Sequence, residues 1–222
     1  MKTKLLCLIT SVVLMACGKP EQSSPPSAAP PGTQAPVSAP AMAKSDGLKI
    51  KGFQIGMDIQ SVPNVMMTLL AERELAGFGF TDVIRLGDGS QCVLMYTKPF
   101  LRAKESRMRD RYGEAKAQAK VDEELVTSCI NSDGVLAAKA GADSKVIRIE
   151  FNDVKDLFNA KGMAPADFVK NLSKENHLPD MKPNDTQTVW SAISPDGTKV
   201  EVDAKEVLGI PMVRLYMSKA AP

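Results

Sequence analysis

The sequence predicts an α+β protein built from two tandem helix-plus-antiparallel-sheet units that follow a disordered stalk. Three observations carry this. Gly56-Met57 precedes a helix-like stretch, Asp58 to Arg73, and Gly162-Met163 precedes another, Pro165 to Glu175. Asp88-Gly89 separates the alternating runs Thr81 to Leu86 and Gln91 to Thr97, as Asp196-Gly197 separates Thr188 to Ile193 and Thr198 to Asp203. Each half then closes on a similar strand, Val146 to Phe151 and Met212 to Met217, and the first two correspondences fall 106 and 108 positions apart.

Pro63 is harmless in a first helical turn and damaging further in, so it moves the first helix start to about Ser61. Met57, Met66 and Met67 read as core filler for that helix. Gly77-Phe78-Gly79-Phe80 is a Gly-aromatic turn entering a strand. Asp-Gly between alternating runs marks a hairpin, since both residues tolerate the positive φ of a type I′ turn. From about Phe100 to Asp143 the first unit is enlarged by an insertion. Within it Leu101, Met108, Tyr112, Ala115 and Ala119 recur at helical spacing, with basic residues on the other faces. After it, Val126 to Ile130 and Gly134 to Ala138 flank Asn131-Ser132-Asp133 as a further hairpin. In the second half Ala164-Pro165 opens a helix, and His177 at its end complements the helix C-terminus.

The first residues carry an address. Lys2 and Lys4 precede an apolar run, Leu5 to Val13, too short to cross a hydrocarbon core of roughly 30 Å as a helix. The run ends Leu14-Met15-Ala16-Cys17-Gly18, which resembles the lipobox of bacterial lipoproteins. The resemblance implies cleavage before Cys17, thioether attachment of diacylglycerol to its thiol, and acylation of the new amino group. The alternative is a plain signal peptide with a chance Cys. Gly18 in place of an inner-membrane-retaining Asp implies an outer-membrane anchor facing the periplasm. From Lys19 to Ala43, Pro, Ser, Ala, Gly and Gln dominate. Such a segment buries too little to offset its ordering entropy and reads as a disordered stalk. The expected organisation is a signal peptide over 1–16, a lipidated Cys and linker over 17–46, and the two units over 47–152 and 153–222.

The whole chain has 28 basic and 26 acidic residues; loss of Lys2 and Lys4 with the leader leaves the two signs equal. Net charge therefore gives no argument for nucleic acid. Of four cysteines, Cys7 leaves with the leader and Cys17 is acylated, so Cys92 and Cys129, each in an apolar strand-like run, remain to form one structural disulfide outside the cytoplasm. A redox pair would call for the C-x-x-C spacing, which is absent. One local asymmetry stands out. Arg102, Lys104, Arg107, Arg109 and Arg111 cluster on the inserted helix as a candidate contact for acidic headgroups, cell wall or a partner. Its bland alternative is a solvated helix face.

Motifs for catalysis are lacking. A single histidine without a free thiol builds no ordinary zinc site, Asp122-Glu123-Glu124 reads as a solvated charge run, and there is no phosphate-binding glycine loop. No metal and no cofactor is expected. The Gly-Met pair ahead of a helix and a hairpin sheet resembles the small outer-membrane lipoproteins of the barrel-assembly machinery. In tandem the arrangement is similar to the β-lactamase-inhibitor-protein fold, which implies a concave sheet that docks on partners. The expectation is a non-catalytic, membrane-anchored envelope lipoprotein binding a protein partner or cell-wall component, with Trp190 or Tyr216 as exposed aromatics of the binding face. The alternatives are an envelope-polymer-modifying enzyme with an unrecognised pair of carboxylates, and a structural spacer.

Overall fold

A computed structural model describes residues 47–207 and 210–220, so the signal peptide, Cys17 and the stalk lie outside the described residues. A 3-10 turn, Ile59–Ser61, leads into α1 (Val62–Glu72). Then come β1 (Phe78–Phe80), β2 (Ile84–Arg85), β3 (Gln91–Thr97), α2 (Lys98–Tyr112), α3 (Glu114–Asn131), β4 (Leu136–Ala140) and β5 (Val146–Phe151). The second half holds α4 (Val154–Leu157), α5 (Pro165–Glu175), β6 (Lys182–Pro183), β7 (Val189–Ile193), β8 (Thr198–Val207) and β9 (Ile210–Lys219). The described residues fall in one compact unit.

The fold is α+β, and the two halves share one antiparallel sheet. Its order is β1-β3-β4-β5-β9-β8-β7-β6, with β2 paired to β3 beyond β1. Each half is a meander whose last strand lies at the centre, where β5 pairs with β9 through Ile149↔Met217 and Phe151↔Leu215. Outward from that seam, β4 answers β8 and β3 answers β7. The turn at Asp196 between β7 and β8 is thus matched in the first half by α2 and α3, not by the turn at Asp88. The two closing strands pair at the centre of the sheet, but the hairpin correspondence expected from the sequence is displaced by one strand.

The turns differ in type from the expectation. Asp88 and Asp196 keep ordinary backbone conformations, and only Gly89 (φ 82) and Gly197 (φ 80) are left-handed. Each turn is a three-residue loop closed by a strand pair, Leu86 N to Ser90 O and Ser194 N to Thr198 O. Each Asp carboxylate accepts from the backbone two residues on, Ser90 and Thr198. The β4–β5 turn repeats the device with Asp143 accepting from Lys145.

Strand alternation explains the layers. On one face Val93, Met95, Leu136, Ala138, Ile149, Phe151, Leu215, Met217, Val200 and Val202 meet Val62, Met66 and Leu69 of α1 and Phe168, Val169 and Leu172 of α5 in one core. Phe53, Phe151, Phe158 and Phe168 run through it edge to face, at centroid spacings of 5.6, 5.3 and 5.6 Å. Met57 and Met66 fill this core as expected, whereas Met67 is 56 % exposed. On the other face Cys92, Leu94 and Ala137 form a smaller cluster with Cys129 and Leu125 of α3. The helical hairpin covers only this half of that face.

The insertion is where the structure departs most from expectation. Val126 to Ile130, read as a strand, is the last part of the 18-residue helix α3. The helix expected through Ala119 breaks at Gly113 (φ 76), which leaves Tyr112, Ala115 and Ala119 exposed near the hairpin tip. The seam between the helices is carried by Lys104 and Met108 of α2 and Val121 and Ser128 of α3. Phe78 to Phe80 is itself a strand, and Thr81 to Leu86 reduces to the two residues of β2.

Candidate binding cleft

The uncovered half of the outer face carries a band of ionic pairs. Register places Lys199, Glu201, Asp203 and Lys205 of β8 beside Ser218, Tyr216, Arg214 and Met212 of β9. Lys199 Nζ meets Glu201 at 2.6 Å, Lys205 Nζ meets Asp203 Oδ2 at 2.7 Å, and Arg148 Nε meets Glu150 at 2.8 Å. Lys139 reaches the same Glu150 carboxylate at 3.3 Å, and the Arg148 guanidinium lies 5.1 Å over the Tyr216 ring. Burial pushes the Glu150 carboxyl up; the charges of Lys139 and Arg148, with the hydrogen bond from Arg148, outweigh it and hold the group below its ordinary value.

Where α2 leaves the sheet and α3 returns to it, the band opens into a cleft of about 380 Å³. Four segments build it. Tyr96, Thr97 and Phe100 come from the β3–α2 junction, where the Thr97 hydroxyl caps α2 through the Phe100 N–H. Asn131 to Val135 come from the link between α3 and β4, Asn152 and Asp153 from the end of β5, and Met212 and Arg214 from β9. The Asn152 amide donates to the carbonyls of Ser132 and Gly134, pinning the α3–β4 link to β5. Burial, and then the negative charge of Glu105, pushes the Tyr96 phenol up, so it remains a hydrogen-bond donor.

A smaller recess of about 80 Å³, lined by Asp203, Lys205, Met212 and Arg214, joins the cleft at its two shared residues, Met212 and Arg214. Asp203 is only 9 % exposed, and its Oδ1 has no protein hydrogen-bond partner. Arg214 stands directly opposite it across the β8–β9 ladder, yet these two form no ion pair and Arg214 is exposed. A buried carboxylate oxygen left unpaired is costly, and Asp203 is one of the four residues that line this recess.

The cleft lies at the end of the sheet away from the root of the N-terminal segment. The Leu48 N–H donates to Asp196 Oδ2 at 2.7 Å, which fixes that root at the β7–β8 turn. The Ser194 hydroxyl and the Thr198 backbone also bond this carboxylate and outweigh its burial, holding it below the usual range. Asp203 stands five residues beyond Thr198, about 17 Å along the strand.

The residues singled out from sequence fare differently. Cys92 and Cys129 are bridged, with Cα atoms 6.2 Å apart, although Cys129 is helical and not in a strand. Of the basic cluster, Lys104 is buried beside Glu124 at 3.0 Å, Arg109 pairs with Glu114 at 2.7 Å, and Arg111 stacks on Tyr112. Arg102 and Arg107 stay exposed. His177 sits one residue past the α5 cap in a left-handed conformation (φ 52). Trp190 is buried in the main core, so it is no exposed aromatic; Tyr216 is half-buried on the outer face. Asp203 and Arg214 were missed by sequence reading, because both sit in alternating strand runs where a charged residue marks only the outward face. Among the described residues no group of His, Cys, Asp and Glu is arranged to hold a metal ion, and no helix is long and apolar enough to cross a membrane. No protein-family model, curated protein or solved structure matches this chain.

Proposed function

We propose that this chain is a lipid-anchored envelope protein, non-catalytic, that holds a protein partner or cell-wall component in the cleft between the helical hairpin and the outer sheet face. The unpaired, buried Asp203 carboxylate oxygen beside the cleft is the observation that carries the reading. The position of the tether root supports it: a chain anchored through Cys17 and leaving the fold beside Asp196 turns the cleft away from its own root. The resemblance of Leu14-Met15-Ala16-Cys17 to a lipobox supports the anchor, an outer-membrane one by Gly18, facing the periplasm. The disulfide fits an oxidising compartment.

An enzyme acting on envelope polymers is the competing reading. It calls for a carboxyl group held protonated as an acid. Among the described residues, the four carboxyls that depart clearly from their ordinary values, Asp88, Glu124, Glu150 and Asp196, are all lowered and so held ionised. Labelled palmitate tests the anchor: incorporation is expected in the wild type and lost in Cys17→Ser. Crosslinking from intact envelopes through a photoreactive residue at Met212 tests the cleft. An adduct that disappears in Asp203→Ala is expected, and its absence overturns the binding role.

A further inference from the structure

We infer that the cleft is a carbohydrate site, taking one sugar unit of a glycan with a hydroxyl-bearing arm in the Asp203 recess. This rests on the binding role proposed above and names its ligand class.

The side-chain chemistry selects the class. The cleft and recess carry three carboxylates, Asp133, Asp153 and Asp203, against two cations, Lys205 and Arg214. That balance repels phosphate and acidic headgroups and favours neutral or amino-bearing ligands. Asp203 Oδ1 calls for a donor, Arg214 offers donors opposite it, and the Asn131 amide and Tyr96 phenol add groups that donate and accept. Adjacent hydroxyls, each both donor and acceptor, match that mixture. Tyr96 and Phe100 add two aromatic side chains to the lining, the kind of surface on which the C–H face of a sugar rests, with Lys104 Nζ 4.8 Å over the Phe100 ring. About 380 Å³ is at the lower end of ligand-site volumes and suits a sugar unit or two.

A peptide is the competing occupant, because β9 over 210–214 pairs with β8 alone. Against it, the lining includes no deep apolar pocket for an anchoring side chain; Met212, Val135 and the two rings are its main apolar surface.

The test uses the purified full chain and backbone amide NMR. The probes are cellobiose, maltose and N,N′-diacetylchitobiose at up to about 20 mM, with trialanine and inorganic phosphate alongside. At least one disaccharide is expected to shift amides of Tyr96, Phe100, Ser132, Asn152 and Arg214 with saturation in the millimolar range. Asp203→Ala and Arg214→Ala should each weaken that binding at least tenfold while the melting temperature holds. Asp88→Asn, at a turn far from the cleft, should leave it unchanged. If no disaccharide shifts these amides, or if trialanine or phosphate shifts them more strongly, the carbohydrate assignment is overturned. A Met212 crosslink that still captures an envelope protein would then leave the binding role standing; loss of that adduct too overturns both.

Discussion

Removing the Cys92–Cys129 bridge should separate the stability of the helical hairpin from that of the sheet. The bridge closes a loop of sequence separation 37, for which the loop-entropy relation gives about 4 kcal/mol. For a domain of this size each kcal/mol moves the melting point by about 2–4 °C, so the loss should be about 8–16 °C. Both sulfurs are buried with Leu94 and Ala137, so the double substitution Cys92→Ala/Cys129→Ala avoids leaving an unpaired hydroxyl there. The loss should be local. The cluster joining α3 to the sheet has only four fully buried members, two of them the bridged cysteines, whereas α1 and α5 share the large core of the other face. Calorimetry with amide hydrogen exchange reads both effects: faster exchange over residues 98–133, with β8 and β9 near their original protection. A melting point lowered by less than about 3 °C, with unchanged exchange in α2 and α3, would refute the reasoning.

Three further outcomes follow from single residues. Gly134→Ala should cost at least about 2 kcal/mol by denaturant titration, because its Cβ would lie 2.3 Å from the Met95 carbonyl oxygen, a backbone atom already bonded to the Val135 N–H. Stability should decline on acidification through Glu150: its folded-state value is below the ordinary 4.5, so its contribution is complete above that pH and fades as pH falls through the lowered value. Glu150→Gln should flatten this acid limb in pH-dependent melting. Arg102→Glu/Arg107→Glu should weaken sedimentation of the full chain with anionic vesicles if α2 is the anionic contact, and unchanged sedimentation would make α2 a solvated face.

Local signals were readable where a segment's own chemistry decides its conformation. β3, β5 and α5 take the bounds expected from alternation, helical spacing and the Pro165 start. The β-branched run Val126 to Ile130 misled because its conformation is settled from outside. Its helix is propagated from the good helix formers after Glu114 and held by Cys129 against the sheet. The displaced repeat has a similar cause: identical loops at Asp88, Asp143 and Asp196 serve any strand pair at that end of the sheet and do not identify which strand they follow. The cleft was out of reach altogether. It gathers residues near positions 96–100, 131–135, 152–153, 203–205 and 212–214, and only the strand order shows that β9 runs beside β5.

We propose that one end of this protein is tethered and the other end binds. A photoreactive residue in intact envelopes tests it most directly, placed at Met212 in the cleft or at Met67, exposed on α1. An adduct from Met212 alone is expected, abolished by Asp203→Ala and present only when Cys17 is intact. Equal adducts from both positions, or none from Met212, would contradict it.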